Sequence, residues 1–204
     1  APVDEPFTLY DAVDDVVTVL DELGIERAVW CGLSIGGMVA LRAALTVPER
    51  VSALVIMDSH AGEERSFHKL KYRLMGTGVR TLGTGPFLSP ICKMMFGSTT
   101  VRENSGLVAE WREIFADIDV PSALYGLDAL VRRDSVTARL DEISVPSLIV
   151  VGQEDASLPP ALSRHMHTRL SNSQLAEIPG AGHLSALEQP DRVNEVLETF
   201  LREV

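Results

Sequence analysis

The chain has 204 residues, enough for one domain with a substantial buried core and short for two. Its 46% hydrophobic and 23% charged residues are ordinary globular values. A net charge of −11 argues against nucleic acid or an anionic membrane as partner, because both recruit clustered Lys and Arg. No apolar run reaches the ~18 residues of a bilayer span, and no basic-then-apolar secretory signal opens the sequence. The two cysteines, Cys31 and Cys92, form neither a metal-ligand spacing nor a disulfide framework, which points to a reducing cytoplasm.

In chain order, Thr8 and Asp11 read as a capping box at the start of a helix. That helix should place Val13, Val16, Val17, Leu20 and Leu23 on one face, with Gly24 as its stop. Ala28 to Cys31 is a short apolar run bounded by Gly32, suited to a buried parallel strand with Cys31 inside it. A small-residue helix follows from Gly36 to Leu45, then a second buried strand from Val51 to Met57. From Ser59 to Leu140 the β-branched runs give way to helical fragments broken by glycine and proline, yet kept apolar by residues such as Phe67, Leu70, Met94, Phe96 and Trp111. The alternation then resumes. Pro146 to Val151 and Gln174 to Ile178 read as strands, and Pro160 to Leu170 and Leu187 to Leu201 as helices. The expected fold is α/β, with a mostly parallel sheet covered by helices. Residues 1–58 and 141–204 form its core, and residues 59–140 form a helical insertion.

Gly32-Leu33-Ser34-Ile35-Gly36 is a G-x-S-x-G sequence between a predicted strand and a predicted helix. A serine hydroxyl is a poor nucleophile and must be held exposed on a tight turn where a base can reach it, which the flanking glycines permit. The helix that follows aims free backbone N–H groups at a developing oxyanion, with Ile35 N–H as one donor. A serine in a glycine-rich turn is the plain structural alternative. Gly152-Gln153-Glu154-Asp155 puts a carboxylate beyond a strand end, and Pro179-Gly180-Ala181-Gly182-His183 presents a histidine from a glycine-rich loop at the same sheet edge. The order Ser34, Asp155, His183 fits a nucleophile, an orienting acid and a general base. Asp58, at the end of another strand, is the rival acid, and Glu154 reads as a solvated neighbour. His60, His68, His165 and His167 lack such a loop, and the last two stand two apart on a helix, so no metal site or other cofactor is expected.

The stretches Cys31 to Met38, Pro48 to Val51 and Gly180 to Pro190 resemble the α/β-hydrolase superfamily, in wording nearest its 3-oxoadipate enol-lactonase-like and carboxylesterase branch. The resemblance implies a helical cap over the serine, from about Ser59 to Leu140, that sets substrate choice. Leu33, Met94, Phe96 and Trp111 are the pocket candidates, and a hydrophobic ester or lactone is the expected small-molecule substrate. The chain departs from the family in its first part. About four strands and a His-Gly loop that would bring a second oxyanion donor are expected before Ser34, so the sequence reads as the C-terminal portion of such a hydrolase. The alternatives are a homo-oligomer, or a complementing N-terminal segment, that pairs with the bare strand Ala28 to Cys31. In function, the rivals are a non-catalytic binding module, a carbon–carbon hydrolase and a cofactor-free perhydrolase.

Overall fold

Helix α1 (Leu9–Glu22) begins as its sequence requires. The Thr8 hydroxyl accepts from the Asp11 N–H at 3.2 Å and the Asp11 carboxylate accepts from the Thr8 N–H at 2.6 Å. It ends where Gly24 turns left-handed, φ 67°. The computed structural model describes residues 3–64 and 66–204. The chain continues through β1 (Ala28–Leu33), α2 (Ile35–Thr46) and β2 (Val51–Met57). Five helices follow: α3 (Ser66–Leu82), α4 (Gly85–Met95), α5 (Ser98–Glu103), α6 (Ser105–Ala116) and α7 (Val120–Arg132). It then returns to β3 (Ser147–Gly152), α8 (Pro160–Arg169), β4 (Ser173–Ile178), α9 (Ser185–Glu188) and α10 (Pro190–Leu201). The single closing helix expected from Leu187 is instead two, broken where Gln189 leaves the helical region and Pro190 starts the next helix.

The four strands are parallel in the order β1-β2-β3-β4. Their alternation sends Leu54, Ile56 and Ile149 to one face, where they meet Leu41, Leu140 and Met166. Ala53, Val55, Leu148 and Val150 point the other way, onto Ile178, Val193 and Phe200. Both faces are buried, so the central strands β2 and β3 are apolar nearly throughout. Burying a Leu or Ile of this kind contributes about 2 kcal/mol each.

At β1 the expectation and the structure differ. Among the described residues its one partner is β2, which leaves the bare edge foreseen for Ala28 to Cys31, but Cys31, expected inside a buried strand, is exposed. Val16 and Leu23 of α1 are exposed as well, while Leu9, Val13 and Leu20 make the buried face. An apolar groove lined by Val16, Val29, Cys31 and Val39 runs along this edge. No helix among the described residues is long and apolar enough to cross a membrane.

Candidate functional site

Three of the expected residues meet above the carboxyl ends of the strands. Ser34 follows β1, Asp155 follows β3 and His183 follows β4, the edge where parallel sheets collect reactive groups. His183 Nε2 lies 2.9 Å from Ser34 Oγ, and His183 Nδ1 lies 2.8 Å from Asp155 Oδ2. The other Asp155 oxygen accepts from the N–H groups of Ser157 and Leu158, both at 2.8 Å, which fixes the carboxylate with Oδ2 turned to the imidazole. The hydrogen-bond network therefore assigns the imidazole proton to Nδ1 and leaves Nε2 free to accept from the serine.

Ser34 sits at φ 53°, ψ −115°, a conformation that costs a non-glycine residue about 1–3 kcal/mol. Its surroundings hold it there. The Ser34 N–H donates to the Met57 carbonyl at 2.8 Å, continuing the β1–β2 ladder. Its carbonyl accepts from the Gly37 and Met38 N–H groups and from the Ser59 hydroxyl at 2.6 Å. The glycines divide the work unequally. A Cβ on Gly32 would fall 2.2 Å from the Gly36 carbonyl carbon, and one on Gly37 would fall 2.7 Å from Ser59 Cβ, whereas one on Gly36 would meet nothing within 4 Å. The second glycine of the motif is thus not needed for space, and Gly37 beside it is. As first residue of α2, Ile35 has no intrahelical acceptor for its N–H, so this donor stands at the positive end of the helix, next along the chain from Ser34.

Asp58 takes another place. It is fully buried, turns left-handed at φ 46°, and accepts from the Gly152 N–H at 2.9 Å, the Ser185 N–H at 3.0 Å and the Ser185 hydroxyl at 2.6 Å. Burial pushes its carboxyl up to about 6, against the pull of the Ser185 and Gly152 donors. It ties the ends of β2 and β3 to the segment after His183 and makes no bond to the imidazole. Glu154 is not a solvated neighbour: it accepts from the Ser98 hydroxyl at 2.8 Å and from the Thr99 N–H and hydroxyl at 2.8 and 2.5 Å, anchoring α5. The Thr99 bonds hold its carboxyl below the usual range.

Sequence reasoning missed Glu188. Its buried carboxylate accepts from the N–H groups of Gly182 at 2.8 Å, Leu184 at 3.2 Å and Gly97 at 2.8 Å. The His183 N–H in turn donates to the Met95 carbonyl at 2.9 Å. Backbones crowd here, since a Cβ on Gly182 would lie 2.2 Å from Gly97 N and one on Gly152 would lie 2.1 Å from Gly182 O. The glycine-rich run before His183 was the available signal.

A cavity of about 340 Å³ opens over Ser34 and His183. Met94 and Trp111 line it, together with Tyr72, Met75, Met95, Phe115, Leu124 and Leu127, and among the described residues no Lys, Arg, Asp or Glu does. Phe96 and Leu33 lie outside it. Phe96 is buried behind Trp111 with the rings edge-on at 5.6 Å, and Leu33 packs into the same cluster beside Cys92 and Leu184. The two arginines at the base of the insertion are spent on other partners. Arg133 donates to Gly62 O, Leu130 O and Glu64, with Nη2 at 2.7 Å from His60 Nε2. Arg42 binds Asp134 and Met38 O. His165 and His167 are exposed on α8, and His68 contacts Glu64. No group of three or more His, Cys, Asp or Glu among the described residues could hold a metal ion.

The profile of the Ndr family matches residues 2–204. The 3-oxoadipate enol-lactonase 1 of Acinetobacter baylyi is 26% identical over 200 residues, which cover 98% of this chain and 73% of that protein. The structure of a thermophilic esterase from Thermogutta terrifontis superposes with a TM-score of 0.93 at 28% identity, covering 98% of this chain and 74% of the esterase. The enol-lactonase of Burkholderia xenovorans LB400 shares the fold at TM-score 0.89 and 22% identity, with 98% and 75% covered.

Proposed function

From the premise that the chain belongs to the Ndr family and is an α/β-hydrolase, we propose that it cleaves a carboxylic ester or lactone through an acyl-enzyme on Ser34. The observation that carries this reading is the bonded series Ser34–His183–Asp155 beneath an apolar cavity. His183 Nε2 takes the hydroxyl proton as Ser34 Oγ bonds to the carbonyl carbon. The Ile35 N–H and the α2 dipole stabilise the oxyanion, and each such donor contributes about 3 kcal/mol to the transition state. The bond to the leaving oxygen then breaks, and His183 gives that oxygen the proton. Water, deprotonated by the same imidazole, attacks the acyl carbon and releases the acid and the serine. Asp155 holds the tautomer throughout.

The cavity supports an uncharged, apolar acyl group, because no Lys or Arg among the described residues lines it to receive a second carboxylate. The unpaired Cys31 and Cys92 fit a reducing compartment such as the cytoplasm. The test is a panel of neutral aryl esters, apolar lactones and esters bearing a free carboxylate on the acyl chain. Hydrolysis of the first two in preference to the third, lost in Ser34→Ala, is expected. Turnover that survives Ser34→Ala, or preference for the charged esters, would contradict the proposal.

A further inference from the structure

Helix α3 is apolar on two opposite faces. At about 100° per residue, Tyr72, Met75 and Val79 fall on one side, where they line the cavity. Phe67, Leu70 and Leu74, spaced i, i+3, i+7, fall on the other and are 75%, 58% and 65% exposed. A surface helix ordinarily turns such a stripe inward. The charge on α3 is as unusual as its outer face. Its seventeen residues include Lys69, Lys71, Arg73 and Arg80 and not one Asp or Glu, within a chain whose net charge is −11. Lys69 lies 3.5 Å from Glu63, while Lys71, Arg73 and Arg80 form no ion pair among the described residues. Asp128 of α7 shares a groove with Arg73 and Arg80 but is itself held by Arg132 at 2.7 Å.

We propose that the outer face of α3 docks on an anionic lipid surface, lying in the plane of the headgroups with Phe67, Leu70 and Leu74 sunk among the acyl chains. The apolar stripe supplies the insertion, and the flanking cations supply the attraction to anionic headgroups. Glu63 and Asp128 beside the helix are themselves paired, with Lys69 and Arg132, and acidic groups farther than about 10 Å from the surface are screened at ordinary salt. A second copy of the chain fits the same face poorly, because two-fold pairing would bring the two sets of cations together. The inner face of α3 would then lie one helix diameter from the lipid, so an apolar ester dissolved there has a short path to the cavity. This last consequence rests on the proposed hydrolase reading, whereas the docking does not.

Flotation of the whole chain with vesicles tests the proposal, comparing phosphatidylcholine alone with an equal mixture of phosphatidylcholine and phosphatidylglycerol. Binding to the mixed vesicles at least about tenfold stronger than to the neutral ones, and weakened by salt, is expected. The triple variant Phe67→Ser, Leu70→Ser, Leu74→Ser should lose it, and so should Lys71→Glu with Arg73→Glu. Circular dichroism and probe labelling of Ser34 show that these variants remain folded with an intact site, and report on the hydrolase reading separately. Equal binding by the variants, no binding at all, or self-association through this face in place of vesicle binding would overturn the proposal.

Discussion

The Glu188 carboxylate accepts from the Gly97 N–H at 2.8 Å, joining the start of α5 to the loop that carries His183. Its other oxygen holds the N–H groups on both sides of that histidine, Gly182 and Leu184. One buried side chain therefore sets the distance between the helical insertion and the imidazole. Removing an acceptor shared by three buried donors costs about 1–3 kcal/mol for each group left unpaired. Glu188→Ala should lower the melting temperature and should reduce kcat tenfold or more. Glu188→Gln should be milder, because its remaining oxygen still accepts while its NH2 faces a donor. Ester hydrolysis and thermal unfolding measured on both variants check this, and equal activity in all three proteins would count against it.

The two glycines of the G-x-S-x-G sequence should behave differently. Gly32→Ala places a methyl 2.2 Å from backbone that cannot move without unseating Ser34, so no folded, reactive protein is expected. Gly36→Ala meets open space and should retain most activity and stability. Soluble yield and initial rates of the two variants decide the point.

The two buried aspartates, Asp155 and Asp58, should separate by function. Asp155→Asn disturbs the imidazole tautomer and should reduce kcat by several orders of magnitude with little change in folding. Asp58→Asn leaves His183 and Asp155 in place but sets an NH2 against the donor of Gly152 or those of Ser185, which bond different oxygens. Its main effect should be lost stability, about 1–3 kcal/mol in urea unfolding.

The positions of the strands, the helix cap at Thr8 and the meeting of Ser34, Asp155 and His183 were all legible, because each rests on a local pattern or on chain order. Exposure of Cys31 was not, since an apolar run does not say which of its side chains the bare edge of the strand uncovers. Nor was the role of Glu188, whose partner Gly97 lies 91 residues away, beyond the reach of any spacing rule. Phe96 and Trp111 read equally well as pocket lining, and only packing shows that one stands in front of the other.

His60 supplies a pH dependence. Burial first, and then the Arg133 charge, press its imidazole down to about 4, and Arg133 Nη2 at 2.7 Å occupies the lone pair a proton would take. The fold favours the neutral ring over the unfolded chain, where it titrates near 6.5. This contribution, about 3 kcal/mol at most, is present above pH ~6.5 and is lost as the pH falls toward ~4. Asp58 acts with opposite sign, losing its contribution as the pH rises toward about 6, so the informative quantity is a difference. The stability of wild type minus that of His60→Gln should grow between pH ~4 and ~6.5 and then level off. A difference that does not vary with pH would remove His60 from this role.

The most direct measurement of the central claim is labelling by a fluorophosphonate probe, read by intact mass and peptide mapping. A single adduct on Ser34, absent from Ser34→Ala and slowed strongly in His183→Ala and Asp155→Asn, is the predicted result. A folded protein that takes no adduct, or takes one that persists in Ser34→Ala, would contradict the account.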